Sequence, residues 1–255
     1  MSYRAGLDIG SAVSKAVILE DDKLLSFSTY KSKGSFSNSA KFVLEDVLTK
    51  TGLTEGNLSS IGVTGIGSSF VSSSIRKITN ISCQSRGTHF LFPNVRTLFE
   101  IGNQSSRGMK ITSKGKVADS VVGDKCAAGS GRILQIIANV IKVDLEELGP
   151  LSLQSNHPVN FSTGCAVFLE TEAISRIAEG FSKEDIVCGL HSTLASAITG
   201  MMHRMKIEED CVVTGGGAKD KGLVKIIANK LSKDLFVPDE PLITGAIGAA
   251  LIANE

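Results

Sequence analysis

The stretch AGLDIGSAVSKAVILEDDKLL, residues 5–25, contains the pattern that decides the fold. Apolar residues at 7–9 predict a short strand, Gly10 and the serine after it predict a turn, and residues 15–19 predict a second strand. An Asp-Asp turn then leads to a third strand. The stretch predicts a β-meander whose first turn directly follows an acid, Asp8.

A second copy of this pattern follows in LFEIGNQSSRGMKITSKGKV, residues 98–117. Glu100, an isoleucine and Gly102 end a strand, as the corresponding acid, isoleucine and glycine do in the first copy. Residues 109–112 predict the second strand, with residues 106–108 as additional residues before it. We interpret the two stretches as an internal duplication, which is the main organising feature of the chain.

The remaining pattern alternates helices and strands with no linker rich in Pro or Ser. Helical spacing predicts helices at 36–51, 131–141, 167–179, 183–205, 221–232 and 245–253, and strands from 61, at 211–213 and near 235. This order predicts an α/β protein with two domains that face a common cleft. Domain I is predicted at 1–95, joined by the C-terminal helix 241–255, and domain II at 96–240.

Composition and charge exclude several classes of function. The formal net charge of the 255 residues is +1, and no dense Lys/Arg run is present, so nucleic acid is not an expected partner. No apolar run reaches the roughly 18 residues that a membrane span needs. The N-terminal residues lack the apolar stretch of a signal peptide. We therefore expect a cytoplasmic protein without a membrane partner.

The two acid–glycine turns and a later glycine turn suit nucleotide chemistry. Backbone N–H and hydroxyl groups of the first turn can hold phosphate oxygens, and a lysine can add positive charge. These groups belong to Gly10, Ser11, Ser14 and Lys15. The carboxylates of Asp8 and Glu100 suit a hydrated Mg²⁺, which needs only one or two protein oxygens. The run Gly215, Gly216, Gly217 after a strand lets the flat ring of adenosine approach the backbone.

Each of these turns alone is also compatible with a plain tight turn. Their order along the chain is more specific than any one of them, because it combines two acid–glycine turns with a late glycine run after a strand. This order resembles the actin, sugar-kinase and Hsp70 ATPase superfamily. The resemblance implies two RNase H-like domains around a nucleotide cleft.

Two of the five cysteines, Cys126 and Cys165, stand just before predicted helices. A helix N-terminus favours the thiolate, which is a nucleophile or a ligand for a soft metal. A buried structural cysteine is the third possibility. No histidine stands in a recognisable Cys/His signature, which weighs against a nucleophile. An iron–sulfur cluster usually takes four thiolates, so two per chain would require two chains. We interpret Cys83, Cys188 and Cys211 as structural.

Several segments occur together and in order, and they resemble the BadF/BadG/BcrA/BcrD ATPase family. They are GLDIGSAVSKAVI, DKCAAGSGR, GCAVFLETE, VVTGGGAKDKG and GAIGAAL. The family comprises activators of 2-hydroxyacyl-CoA dehydratases and ATP-binding subunits of benzoyl-CoA reductases. The resemblance implies an ATPase that binds ATP, ADP and Mg²⁺ and passes a low-potential electron to a dehydratase or reductase component. A ferredoxin or flavodoxin would supply that electron.

The resemblance also implies roles for individual residues. Cys126 and Cys165 match the ligands of a [4Fe-4S] cluster shared between two subunits. The candidate catalytic residues are Asp8, Glu100 and Gln104. The candidate nucleotide-binding residues are Gly10, Ser11, Ser14, Lys15, Gly102, Gly215, Gly216 and Gly217.

The second phosphate motif departs from the family pattern acid-Ile-Gly-Gly-Gln-Asp. Glu100 stands for the first acid, Asn103 for the second glycine and Ser105 for the last aspartate. Such divergence is similar to the second ATPase subunit of benzoyl-CoA reductases, which pairs with a related chain. A homodimer and a heterodimer with a slowly hydrolysing chain therefore both stay open. A small-molecule kinase is a third interpretation, and Ser105 in place of an acid weighs against it.

Overall fold

The structure, a computed structural model, describes residues 1–32, 34–123, 129–162 and 164–255. The chain divides into two compact units. The first unit comprises Met1–Val95, Ile111–Ala118 and Leu242–Glu255, and the second unit comprises Arg96–Lys110 and Asp119–Pro241. The assignment of functional domains I and II from the sequence stays a prediction.

A five-stranded mixed sheet forms the centre of the first unit. Its strands are β1 (Tyr3–Ile9), β2 (Val13–Glu20), β3 (Lys23–Lys31), β4 (Leu58–Thr64) and β5 (Arg76–Lys77). They lie in the order β3-β2-β1-β4-β5. The first three strands are antiparallel, whereas β4 runs parallel to β1 and β5 runs parallel to β4. The β-meander predicted from the opening stretch is confirmed.

Helices cover both faces of this sheet, because its central strands are apolar on both sides. On one face lies α1 (Phe36–Thr51), which packs against Leu7 and Ile9 of β1. The side chain of Ser35 caps its first turn, and Gly52 ends it with φ of +68°. The bounds of α1 agree with the prediction from helical spacing.

The other face of the first sheet is covered by α8 (Thr244–Ile252), and α2 (Asn80–Leu91) packs on α8. The strand and helix backbones approach closely here. A Cβ atom added to Gly6 would lie 1.9 Å from the carbonyl oxygen of Ala246. The small residues of α8 make this approach possible. The sequence analysis predicted α8 but not α2.

The sheet of the second unit repeats the strand order of the first. Its strands are β6 (Thr97–Ile101), β7 (Ser106–Ile111), β8 (Val117–Val122), β9 (Cys211–Thr214) and β10 (Leu235–Phe236). They lie in the order β10-β9-β6-β7-β8. β7 is antiparallel to β6, and β9 and β10 continue the sheet in parallel. β6, β7 and β8 thus correspond to β1, β2 and β3, and β9 and β10 correspond to β4 and β5.

Within the described ranges, the α-helices of the second unit lie between and after its strands. They are α3 (Arg132–Ile141), α4 (Leu148–Ser152), α5 (Ala166–Ala178), α6 (Lys183–Met202) and α7 (Lys221–Leu231). Their apolar faces join β6 and β9 in a buried cluster that includes Phe99, Ile137 and Leu190. Among the helices of the described residues, none has the length and apolar character that crossing a membrane requires.

Candidate functional site

The first acid–glycine turn joins β1 to β2 and holds a buried ion pair. Asp8 and Lys15 are direct cross-strand partners, and Lys15 Nζ donates to Asp8 Oδ2 over 3.0 Å. Asp8 is 4% exposed and Lys15 is 9% exposed. A charge pair this buried is costly to desolvate and therefore needs its partner. The structure brings these two predicted residues together.

Gly10 begins the turn at a point of close backbone approach. A Cβ atom there would lie 2.4 Å from the carbonyl oxygen of Val13 and 3.2 Å from Lys15 Nζ. The Ser32 hydroxyl donates to the Gly10 carbonyl over 2.9 Å. Only glycine fits this position without displacing the Lys15 ammonium.

Ser14 does not share the face of Asp8 and Lys15. Neighbouring residues of a strand point to opposite faces, so Ser14 points toward the α1 side. Its hydroxyl oxygen lies 2.9 Å from that of Ser32, which in turn holds the turn at Gly10. Ser11 lies in the turn itself and is half-buried. The structure thus gives Ser14 a supporting position behind the turn.

The second acid–glycine turn joins β6 to β7 and repeats the geometry of the first. Glu100 and Arg107 are cross-strand partners, and Arg107 donates to Glu100 Oε2 over 2.7 Å. In both turns the acid and the cation are seven residues apart. Glu100 is 6% exposed, so a nearly buried carboxylate again holds a cation.

The start of β7 corrects the sequence analysis. Residues 106–108 were interpreted as additional residues before a strand at 109–112, whereas β7 runs over Ser106–Ile111. The two copies therefore align from the acid to the cation without a gap. Arg107 was missed as a site residue, and counting seven residues from each acid would have found it.

The other residues of the second turn differ in their exposure. The Gly102 N–H donates to the Ser105 carbonyl over 3.2 Å, which closes the turn. Ser105 is buried, Gln104 is exposed, and Gly102 is half-buried. Of the predicted catalytic residues, Gln104 is the one whose side chain is accessible to solvent.

The glycine run after β9 packs beside the second turn. Thr214 is the parallel-strand partner of Glu100. Gly215 has φ of +83°, and a Cβ atom on it would lie 2.6 Å from the Ile101 carbonyl oxygen. A Cβ on Gly217 would lie 2.3 Å from the Ile101 side chain. These two glycines are required by packing, and Gly216 is exposed.

The first unit has a counterpart of this glycine run. Thr64 is the parallel-strand partner of Asp8. Gly65 follows it with φ of +90°, and its Cβ would lie 2.5 Å from Asp8 Oδ1. A Cβ on Gly67 would lie 2.4 Å from the Ile9 side chain. Each unit therefore places an acid, a cation and a Thr-Gly-x-Gly turn at the same edge of its sheet.

Buried polar groups from the helices surround Asp8. The Thr244 hydroxyl donates to Gln84 Oε1 over 2.6 Å. A Cβ on Gly245 would lie 2.9 Å from Asp8 Oδ2 and 3.0 Å from Gln84 Nε2. The sequence analysis did not single out these residues. Burial, reinforced by the charge of Asp8, raises the pKa of the Cys83 thiol to about 12, which fits its structural interpretation.

Cys165 occupies the residue just before α5, as predicted, and is half-buried. The segment before it is anchored to the helix, because Glu172 accepts from the backbone N–H and the hydroxyl of Ser162. Arg176 in turn holds Glu172 over 3.3 Å. The other predicted ligand, Cys126, lies outside the described residues.

The second turn contacts the segment that follows Cys126. The Ser106 hydroxyl donates to the Gly129 carbonyl over 2.7 Å. The Gly131 N–H donates to the Gly102 carbonyl over 2.9 Å. Two hydrogen bonds thus tie the acid–glycine turn to residues within five positions of a predicted metal ligand.

An exposed apolar stripe follows Cys165. Its five side chains are each at least 41% exposed, and they are Val167, Phe168, Ile174, Ile177 and Phe181. The first four lie at helical spacing on α5. A patch of this kind on a monomer is typical of an interaction surface.

Comparison with known proteins gives a consistent family assignment. The model of the BadF/BadG/BcrA/BcrD ATPase family matches residues 5–253. The 2-hydroxyisocaproyl-CoA dehydratase activator of Clostridioides difficile is 38% identical over 253 residues, which cover 99% of this chain and 95% of the activator. One of the benzoyl-CoA reductase subunits of Thauera aromatica is 29% identical over 263 residues, covering 98% and 93%.

Two solved structures support the fold. The activator of the 2-hydroxyisocaproyl-CoA dehydratase from Clostridium difficile with bound ADPNP superposes with a TM-score of 0.94 at 38% identity, covering 98% of this chain and 94% of that one. The ROK hexokinase of Thermus thermophilus has a TM-score of 0.55 at 13% identity, covering 99% and 98%, and is similar in fold alone. The predicted actin- and hexokinase-type α/β fold is confirmed.

Proposed function

Because the chain belongs to the BadF/BadG/BcrA/BcrD ATPase family, we propose that it hydrolyses ATP and uses the energy to deliver low-potential electrons from an iron–sulfur cluster. The acceptor is a 2-hydroxyacyl-CoA dehydratase or a benzoyl-CoA reductase-type component. The observation that carries this proposal is the duplicated acid–cation turn, in a chain that matches a dehydratase activator over 99% of its length.

The nucleotide would be held by groups of the two turns and the late glycine run. Lys15 supplies a cation, and the glycine turns supply backbone N–H groups that can bind phosphate oxygens. The proposed binding residues are Gly10, Ser11, Ser14, Lys15, Gly102, Gly215, Gly216 and Gly217. Ser14 would act through the turn that it supports. Gly216, exposed between two packed glycines, is the one suited to contact adenosine.

The proposed catalytic residues are Asp8, Glu100 and Gln104. The two nearly buried carboxylates fit Mg²⁺, which keeps several waters and takes only one or two carboxylates from the protein. Magnesium would neutralise phosphate charge there. Gln104, exposed in the second turn, can orient a water with its amide.

The cluster would be held by Cys126 and Cys165. Cys165 is half-buried at the start of α5, where a thiolate is favoured. A [4Fe-4S] cluster takes four thiolates, so two chains would each give two. The exposed apolar stripe on α5 starts two residues after Cys165 and supports a contact with a second chain at this place. When bound, the cluster would store and release one electron.

Hydrogen bonds within the second unit support coupling between nucleotide and cluster. Ser106 and Gly102 of the second turn hold Gly129 and Gly131, which follow Cys126. A change in the turn on nucleotide exchange would therefore move the segment that carries this ligand.

The proposed partners are a second copy of this chain or a related ATPase subunit, and an acceptor with its own iron–sulfur cluster. The electron donor would be a ferredoxin or flavodoxin, and the proposed location is the cytoplasm. The divergent second motif favours a second candidate function, a weakly hydrolysing chain of a heterodimeric module. Ser105 in place of the family's aspartate is the observation behind it. A small-molecule kinase is the less favoured third function.

Phosphate release separates an active from a degenerate ATPase. We expect Asp8→Asn to lower the turnover of ATP by about 100-fold, the scale on which a positioned charge acts in catalysis. Asp22→Asn is the matched control, because Asp22 is 90% exposed and also pairs with an arginine. Equal rates for the wild type and Asp8→Asn would contradict the assigned site.

A further inference from the structure

Arg107 has no assigned role in the reaction, yet it stands in the second turn where Lys15 stands in the first. We propose that the Arg107 guanidinium is a phosphate-binding group, the second cation that contacts the nucleotide. This inference rests on the proposed function, since it requires that the acid–glycine turns bind a nucleotide.

The first argument is positional. Asp8 pairs with Lys15 and Glu100 pairs with Arg107 in the same antiparallel register. The residue before each cation is a serine that faces the other side of the sheet, Ser14 or Ser106. The duplication therefore predicts that whatever Lys15 does for its turn, Arg107 does for the other.

The second argument is electrostatic. A polyphosphate that approaches the second turn meets the nearly buried carboxylate of Glu100, which repels it. Arg107 offsets this charge, since its nitrogen lies 2.7 Å from Glu100 Oε2. A guanidinium has five N–H donors in a planar fork, so it can hold a carboxylate and a phosphate oxygen together.

The third argument is exposure. The Arg107 side chain is 26% exposed, while that of Glu100 is 8% exposed. The cation is therefore the more accessible member of the pair. A purely structural pair needs no such access, and β7 itself contains one for comparison. Lys110 is 28% exposed and lies 2.7 Å from Glu208, but it is three residues further along the strand.

The test measures dissociation constants for ATP, ADP and AMP, each with Mg²⁺, by calorimetry on the anaerobically prepared protein. Arg107→Met, Arg107→Lys and the matched control Lys110→Met are compared with the wild type. We expect Arg107→Met to weaken ATP binding by roughly 10- to 100-fold, the range for one charge-assisted hydrogen bond. ADP should be affected less, and AMP should bind as it does to the wild type. Arg107→Lys should restore most of the affinity for ATP, and Lys110→Met should stay within about twofold.

Two results would overturn the inference. One is unchanged ATP binding by Arg107→Met. The other is an equal loss for ATP, ADP and AMP in both Arg107 variants, because a disturbed strand does not distinguish phosphate number. A wild type that binds none of the three nucleotides would instead overturn the proposed function and this inference with it. Wild-type binding with an unaffected Arg107→Met leaves the proposed function standing.

Discussion

Arg107 illustrates what a single residue reveals only in three dimensions. Ser106, Arg107 and Gly108 lack the apolar alternation of a strand, so the sequence analysis began β7 at Met109. In the structure, Arg107 is fixed by its ion pair with Glu100. Gly108 is fixed by Met202, whose sulfur would lie 2.1 Å from an added Cβ. Both determinants are long-range contacts, which local patterning does not report.

Asp8 and Lys15 were predictable for the opposite reason. They flank a short turn between strongly apolar strands, so strand pairing alone brings them together. Gln84 and Gly245 next to Asp8 were not predictable, because their approach depends on how α2 and α8 pack on the sheet.

At the residue scale, Cys83 makes the stability depend on pH. Burial raises its pKa from 9.0 to about 12. Between these values the unfolded chain loses the proton while the folded protein keeps it, so stability falls as pH rises. We expect a loss of about 1.4 kcal/mol per pH unit above pH 9 from this thiol. Urea unfolding at pH 8.5 and 10.5 should show a smaller pH effect in Cys83→Ala than in the wild type.

The half-buried Cys188 provides the control for this measurement. Cys188→Ala should keep the pH dependence of the wild type. The same pH dependence in Cys83→Ala and in the wild type would contradict the assignment to Cys83.

At the element scale, helices with an apolar stripe and clear ends were predictable from the sequence. Helix α1 has both, and its bounds agree with the prediction. Helix α2 has neither, because its buried residues include Gln84, Ser85, Gly87 and Thr88. It is stabilised by close backbone contact with α8, a form of packing that leaves little trace in hydrophobic periodicity.

That contact predicts opposite effects for two glycine substitutions. A Cβ on Gly87 would lie 1.8 Å from the Thr244 carbonyl oxygen, whereas nothing lies within 4 Å of one on Gly200 in α6. We expect Gly87→Ala to destabilise the protein by about 1–3 kcal/mol. Gly200→Ala should leave stability unchanged or raise it by up to about 1 kcal/mol, because alanine favours a helix. Thermal unfolding of both variants checks this, and a stabilised Gly87→Ala would contradict the described packing.

At the scale of the whole molecule, the duplication was visible in the sequence because each copy starts with an acid, an isoleucine and a glycine. The structure extends it to strand order, to the cation and to the Thr-Gly-x-Gly turns at Thr64 and Thr214. The strands that carry those turns are far along the chain from the meanders, so only sheet topology reveals their equivalence.

The central claim is an ATPase with an iron–sulfur cluster completed by two chains. Iron content per chain, measured after anaerobic purification together with mass by light scattering, tests it most directly. We predict a dimer with about four iron atoms, since each chain gives two of four thiolates. Cys126→Ser and Cys165→Ser should each lose the iron, while Cys188→Ser should keep it. An iron-free monomer after anaerobic reconstitution, or iron retained in both ligand variants, would contradict the account.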